Sequence, residues 1–449
     1  MPLSWSPRAP CLEMVFLKSA RTKACKRPKI ILRPPRMMMQ LPIERIQGCY
    51  NMKQWNYDVC ILGGLGHVGL PLGISLAHEG LNVCLIDIDL QAMKTVSSGK
   101  MPFKEEGAED ILRQVLRKNL FLTADRQAIS EGRFVVVTIG TPIDRHLNPQ
   151  FLLFKEVFEE ILPFIRDEHH IILRSTVFPG TTEKVKGYLE ELGKKTKVSY
   201  CPERIEQGKA IRELRTLPQI VSSFDETALA EVKSLFSLLV KDIIALSPME
   251  AELSKLYTNV WRYIQFSIAN QFYQIATLNN LDFYKIYNAI TYNYPRAKNF
   301  PVAGFAAGPC LFKDTMQLAA FSNNNFFLGH AAMLINEGLP MFIVQMLKHK
   351  YDLRQKTIGV LGMAFKADND DKRESLSYKL KKILEIEAGK VLCSDVYIWE
   401  EGFVGAEEIV EKADIIIVGA PHREYAGLDV SEDKVLVDVW NFYGKGGGI

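Results

Sequence analysis

The sequence predicts an α/β protein of two doubly wound domains joined by a central helical segment with a long spine helix. Three observations carry that prediction: apolar runs alternate with amphipathic stretches over the first half, the alternation stops near Leu246, and it resumes after about Lys350. In the first half DVCILGG, NVCLIDID, RFVVVTIG, HHIILRST and KVSYCPE read as strands, with GAEDILRQVLRKN and FKEVFEEILPFI as helices between them. These strands are apolar throughout rather than on alternate residues, the pattern of a parallel sheet covered on both faces.

Between residues 247 and 350 the strand signal disappears. SPMEAELSKLYTNVWRYIQFSIANQFYQIATLNN is long for one helix and carries apolar and aromatic residues on more than one face, so it predicts a spine buried between domains or subunits. KTIGVLG, KVLCSD, ADIIIVGAP and KVLVDVW then mark a smaller α/β domain. The expected division is a leader over 1–56, a dinucleotide-type domain over 57–246, a helical, dimerising segment over 247–350 and a second α/β domain over 351–449. The leader mixes Pro, Arg, Lys and Met without periodicity and reads as disordered or as an over-long start, with a basic targeting tail as the alternative.

Apolar content of 47% and charged content of 24% exclude a disordered or fibrous body. The net charge of +3 hides an asymmetry, since the leader carries about nine net positive charges and the body is correspondingly negative. Nothing in the body resembles a nucleic-acid footprint. The cysteines, at 11, 25, 49, 60, 84, 201, 310 and 393, show neither paired spacing nor a C-x-x-C, so no disulfide framework and no metal site is implied. No run approaches the ~20 apolar residues that span a bilayer, and the N-terminus lacks a secretory pattern. The expectation is a cytoplasmic protein with no membrane and no nucleic-acid partner.

DVCILGGLGHVGLPLG holds Gly64, Gly66 and Gly69 in the G-x-G-x-x-G spacing between a strand and a helix, with His67 and Val68 inside the turn. The first glycine allows the tight turn, the second lets backbone approach a pyrophosphate, and the third lets helix pack on strand. The next strand ends in Asp87, where a carboxylate can accept from a ribose 2′-hydroxyl and would repel a 2′-phosphate, so NAD is the expected cofactor. Asp89 reads as a solvated neighbour. Three loops fall at carboxyl ends of strands, where doubly wound sheets bind ligands: IGTPID with Thr141 and Pro142, RSTVFPGTT with Ser175 and Thr176, and YCPERIEQG with Glu203 and Arg204. Each alone is also ordinary turn and capping chemistry; together they read as one pocket.

Lys255 and Asn259 stand four apart on the spine and share a face, which without context would be a solvated one. In AAGPCLFKDTMQL, Cys310 follows glycine and proline and precedes Lys313 and Asp314. A lone cysteine is ordinarily a small buried hydrophobe. A nearby ammonium such as Lys313 would lower the thiol's pKa and favour the nucleophilic thiolate.

These motifs, with MEAELSKLYTNV, YPRAKNF, GPCLFKDT and GMAFKADNDDKRES, occur in order from Tyr57 to about Phe442. In that order the body resembles the nucleotide-sugar 6-dehydrogenases, the UDP-glucose and UDP-N-acetylhexosamine dehydrogenase family. The resemblance implies two Rossmann-like domains, a dimer or higher homo-oligomer, and oxidation of a UDP-sugar C6 alcohol to the carboxylate by two hydride transfers to NAD. It implies that Cys310 adds to the aldehyde as a thiohemiacetal that becomes a thioester, and that Lys255 and Asn259 hold the oxyanion. Glu203, assisted by Asp314, would serve the hydrolytic water that Thr176 orders. Lys313 and Arg373 would face the cofactor, while Arg204, Phe365 and Lys366 would contact substrate and Arg296 would reach a neighbouring subunit's substrate.

Departures from the family pattern include Ala307 in the usual glycine pair, Ala92 where a basic residue follows the ribose acid, Gln271 for an acid, and Trp440 with Asn441 near an expected arginine. UDP-glucose is the first reading of the substrate and a UDP-N-acetylhexosamine the alternative, with a non-catalytic nucleotide-sugar binder behind both.

Overall fold

The computed structural model describes residues 55–140 and 151–449, apart from the side chains of 151–154. The expected leader, except Trp55 and Asn56, and both Thr141 and Pro142 lie outside the described residues. The Trp55 ring lies 5.0 Å from that of His169 and the Arg166 guanidinium 4.3 Å over it, so packing begins two residues before the expected start at Tyr57.

The first sheet contains β1 (Tyr57–Leu62), β2 (Val83–Ile86), β3 (Leu120–Thr123), β4 (Gly132–Val137), β5 (His170–Leu173), β6 (Lys197–Tyr200), β7 (Gln219–Ser223) and β8 (Ile243–Leu246), in the order β3-β2-β1-β4-β5-β6-β7-β8. Along β1, Val59 and Ile61 enter one core while Cys60 and Leu62 enter the other, which is why the run is apolar at every position. Strands β3, β7 and β8 were not expected. β3 keeps only Leu120 fully buried and β8 none of its residues, so neither has the continuous apolar signature.

One pairing departs from the expected parallel sheet. β6 and β7 are antiparallel, with Ser199 opposite Ser223 and Tyr200 opposite Ser222. The chain leaves β6 at its carboxyl end, makes the loop and short helix Ala210–Thr216, and returns from that same end without crossing over. The excursion is thereby held above the carboxyl edge, where it forms a cleft wall. The second sheet contains β9 (Thr357–Leu361), β10 (Lys390–Ser394), β11 (Ile415–Val418) and β12 (Val435–Val437), parallel in the order β10-β9-β11-β12.

The spine helix, Pro248–Leu278, runs for 31 residues. It begins on a capping box in which Glu250 Oε2 accepts from the Ser247 N–H at 2.9 Å and its hydroxyl at 2.7 Å. One turn on, the buried Glu252 caps the helix Thr181–Glu191, accepting from the Gly180 N–H at 2.5 Å, the Thr182 N–H at 2.8 Å and the Thr182 hydroxyl at 2.5 Å. The helix Phe327–Lys350 has the length and hydropathy to cross a bilayer, contrary to the expectation that no run approaches that length. Its apolar content has a core explanation, since Leu339, Ile343, Val344 and Leu347 are buried with β9 and β11 in one cluster.

Candidate active site

The glycine-rich turn follows β1 at the point where sheet order reverses between β1 and β4. The left-handed residue there is Gly63, with φ of 75°, and not the expected Gly64. Gly64 is required sterically: a Cβ there would lie 2.8 Å from both the Ile61 carbonyl and the Leu85 Cβ. At Gly69 it would lie 2.5 Å from the Gly63 carbonyl, whereas at Gly66 it meets nothing nearer than 3.6 Å among the described residues. Gly66 is therefore the open position where a pyrophosphate can come close.

Asp87 accepts from the Leu65 N–H at 2.9 Å and from the Asp89 N–H at 3.1 Å, which clamps the turn to the end of β2. Asp89 is more than a solvated neighbour, since it caps the helix Leu90–Ser97 through the Ala92 N–H at 2.9 Å. A cavity of about 490 Å³ opens here, lined by Gly66, His67, Asp89 and Ala92 from the first domain and by Asp371 and Trp399 from the second. His67 stacks on Phe103 at 4.0 Å, and its buried Nδ1 has no hydrogen-bond partner among the described residues. Burial, then the nearby Arg373 charge, lower its pKa, so the ring is a neutral wall. Arg373 is held by Asp371 through Nε at 2.9 Å and Nη2 at 2.6 Å. An open glycine, a carboxylate at the ribose position and a cation on the second domain fit a dinucleotide.

A larger cleft, about 770 Å³, lies between the carboxyl edges of the two sheets and is walled on one side by the spine. Lys255, Asn259, Arg204, Cys310, Phe365 and Lys366 line it together. Lys255 and Asn259 are not on a solvated face: they are 9% and 6% exposed. Asn259 donates through Nδ2 to Asp314 Oδ2 at 2.6 Å, and Asp314, fully buried, also pairs with Lys313 at 3.3 Å. Cys310 opens on the cleft at the N-cap of the helix Leu311–Phe321. Contrary to the expectation from Lys313, its thiol pKa is raised: although the residue opens on the cleft, desolvation of the sulfur by the enclosing walls and then the Asp314 carboxylate outweigh the lowering by Lys255, Lys313 and Arg373.

The approach to Cys310 is fixed from two sides. Gly308 has φ of 106°, and a Cβ there would lie 2.5 Å from the Phe365 ring. Asn270, buried in the spine, accepts from the Gly304 N–H at 2.8 Å and donates to the Gly304 carbonyl at 3.0 Å and to Asn336 Oδ1 at 2.9 Å. The Trp440 ring covers Gly304 and donates its N–H to the Gly419 carbonyl at 3.0 Å. Lys366 bridges the two domains, donating to Glu206 Oε1 at 2.8 Å and to the Gln207 carbonyl at 2.6 Å.

Some expected residues stand elsewhere. Glu203 does not line the cleft: one oxygen pairs with the fully buried Arg174, and the other accepts from the Arg204 N–H at 2.7 Å and the Ile205 N–H at 3.0 Å. It anchors the wall on which Arg204 stands. Ser175 and Thr176 are half-buried after β5 and do not line the cleft either. Arg296 is exposed on the turn Pro295–Ala297, bonded to the Tyr294 hydroxyl at 2.7 Å and away from its own chain's cleft. Arg174, Asn270 and Asn336 were missed; a charge ending the apolar run HHIILR was the one visible sign of Arg174.

A dinucleotide-type domain facing a second α/β domain across a cleft with a thiol, an ammonium and an amide defines an NAD-dependent nucleotide-sugar oxidoreductase. The chain belongs to the UDP-glucose/GDP-mannose dehydrogenase family, matching its NAD binding domain over residues 57–240, its central domain over 249–337 and its UDP binding domain over 359–445. It is 28% identical over 378 residues to a UDP-N-acetyl-D-mannosamine dehydrogenase of Pyrococcus horikoshii, covering 82% of this chain and 90% of that one. The Methanocaldococcus jannaschii protein of the same name is 25% identical over 404 residues, covering 86% and 93%. Among solved structures, the Pyrococcus horikoshii UDP-D-ManNAc dehydrogenase superposes with a TM-score of 0.79 at 27% identity, covering 86% of this chain and 95% of that one. A UDP-glucose dehydrogenase from Pyrobaculum islandicum gives 0.78 at 24% identity, covering 87% and 95%, which speaks for the fold alone.

Proposed function

We propose that the protein oxidises the C6 alcohol of a UDP-2-acetamido sugar to the carboxylate, forming a UDP-acetamido-uronic acid. The observation that carries the reading is the convergence of Cys310, Lys255 and Asn259 on one cleft between the NAD and UDP binding domains. UDP-glucose, the first reading of the sequence, yields to the alternative for two reasons. The relatives named above at 25% to 28% identity are UDP-N-acetyl-D-mannosamine dehydrogenases. Trp440, with its one donor spent on Gly419, offers the cleft carbon, which suits an acetamido methyl better than a hydroxyl.

Gly66, Asp87, His67 and Arg373 would hold NAD, which supplies the hydride acceptor for both oxidations. Lys255 can donate to the sugar C6 oxygen and stabilise the anion that forms there as charge develops. An aldehyde has no hydride to give until a nucleophile adds to its carbonyl carbon, and the Cys310 sulfur faces the cleft to do so. As the C–S bond forms and the carbonyl π bond opens, the thiol proton passes to the carbonyl oxygen, which becomes the thiohemiacetal hydroxyl. Asn259, oriented by Asp314, offers a second donor to the thiohemiacetal oxygen. For thioester hydrolysis Asp314 is the carboxylate whose charge already acts on Cys310, whereas Glu203 in this state secures the wall.

The test is to follow NADH from the purified protein with UDP-N-acetylmannosamine, UDP-N-acetylglucosamine and UDP-glucose. Formation of about two NADH per sugar, with the uronic acid as product, is expected from this electron count. One NADH per sugar with free aldehyde accumulating would exclude the thioester route.

The spine also supports pairing with a second copy of the chain. Tyr257, Trp261, Ile268, Phe272 and Ile275 recur on one helical face and are exposed, Trp261 at 61%. Trp261→Glu is expected to convert a dimer into monomers in sedimentation velocity; a wild type that sediments as a monomer would refute the pairing.

A further inference from the structure

Phe365 and Lys366 line the cleft on an irregular loop between Gly362 and Asp371, and both flanks of that short span hang on one buried pair. Asp395 Oδ2 accepts from the Met363 N–H at 2.6 Å and the Ala364 N–H at 2.9 Å, and lies 3.1 Å from His422 Nε2. On the other flank, His422 Nδ1 accepts the Asp368 N–H at 2.9 Å. Because Nδ1 must accept, the ring proton is assigned to Nε2 and donated to Asp395. The second carboxylate oxygen, Oδ1, accepts from the Tyr397 N–H at 2.8 Å and the Ile398 N–H at 2.9 Å, tying the loop after β10 to the same point.

Asp368 needs this support. Its φ is 55°, a left-handed conformation unfavourable for a residue with a side chain, and the segment adopts it only where neighbours over-determine it. Its carboxylate is met by the Arg423 N–H at 3.0 Å and the Arg423 Nε at 2.8 Å, so two adjacent residues after β11 hold one end of the loop. The His422 and Asp395 side chains are both fully buried, and neither residue lines the cleft. Burial would push the Asp395 carboxyl upward, yet the bond from His422 and the backbone N–H groups hold it below the usual carboxylate range.

We propose that the His422–Asp395 pair is the positioning device of the UDP-binding loop, setting Phe365 and Lys366 for the nucleoside diphosphate without touching it. The proposal rests on the reading of the cleft as a UDP-sugar site. Its test is a calorimetric titration of the full-length protein with UDP itself, alongside steady-state kinetics, for wild type, His422→Phe, His422→Asn and Asp395→Asn. His422→Phe is expected to weaken UDP about tenfold or more and to raise KM for the UDP-sugar in parallel, leaving kcat and KM for NAD within about twofold. His422→Asn, whose Oδ1 can still accept the Asp368 N–H, is expected to recover most of that loss.

Unchanged UDP affinity in His422→Phe overturns the proposal, as does an equal loss of UDP and NAD binding, which marks a general packing role. If His422→Phe does not fold, Asp395→Asn decides: a selective loss of UDP affinity supports the device and wild-type affinity refutes it. A wild-type protein that does not bind UDP overturns the reading of the cleft as well; one that binds UDP while the variants match it overturns the device alone.

Discussion

Cys310→Ala is expected to reduce uronic acid formation by about a thousandfold or more, because without the sulfur the aldehyde has no covalent route to a second hydride. The first oxidation does not need the thiol, so the variant should still bind UDP-sugar and NAD and release traces of aldehyde. Mass spectrometry of the products separates this from a misfolded protein. Turnover to the acid within tenfold of wild type would remove Cys310 from the chemistry. The raised pKa gives an independent check on the thiol: a thiol with a raised pKa carries less thiolate at a given pH than a free cysteine. Alkylation of Cys310 by iodoacetamide, mapped by peptide mass, should therefore be slow at neutral pH and accelerate as pH rises. Rapid, pH-independent alkylation would show that Lys255 and Lys313 prevail over burial and Asp314. Cys60, Cys84, Cys201 and Cys393 are buried and serve as internal controls.

Arg174→Met has the largest expected effect on stability. Arg174 is fully buried and donates to the Cys201 carbonyl at 3.1 Å and to Gln219 Oε1 at 3.2 Å while pairing with Glu203. Removing one partner of a buried ion pair leaves the other charge unpaired at a cost of about 3–5 kcal/mol. The loss should show as a lower thermal midpoint and as fast hydrogen exchange in residues 201–209, since Glu203 also orders the Arg204 and Ile205 N–H groups. The double variant Arg174→Met, Glu203→Leu buries no lone charge and should recover much of the loss; recovery is the signature of the pair, and a double variant worse than the single one would refute it.

The same pair explains where reading the sequence reached its limit. The motif YCPERIEQG marked its loop as functional, but Glu203 and Arg204 are neighbours whose side chains part, one to a buried arginine and the other to the cleft wall. Nothing in the local pattern distinguishes those directions. His422 and Asp395 were invisible for a related reason: a histidine and an aspartate 27 residues apart carry no periodic signal, and only the parallel sheet brings the ends of β10 and β11 to one place.

The amino-acid sequence by itself determined the two α/β domains, the spine and the dinucleotide turn, because each is encoded locally: continuous apolar strands, helical spacing, glycines where a Cβ would collide. Tertiary structure alone decided that Lys255 and Asn259 are buried on the cleft that Cys310 lines, that the thiol's pKa is raised, that Glu203 secures a wall and that Trp440 lines the cleft with its N–H spent on Gly419. Those properties depend on which charges and surfaces meet across the cleft, and burial and distance between remote segments are set by packing rather than by spacing along the chain.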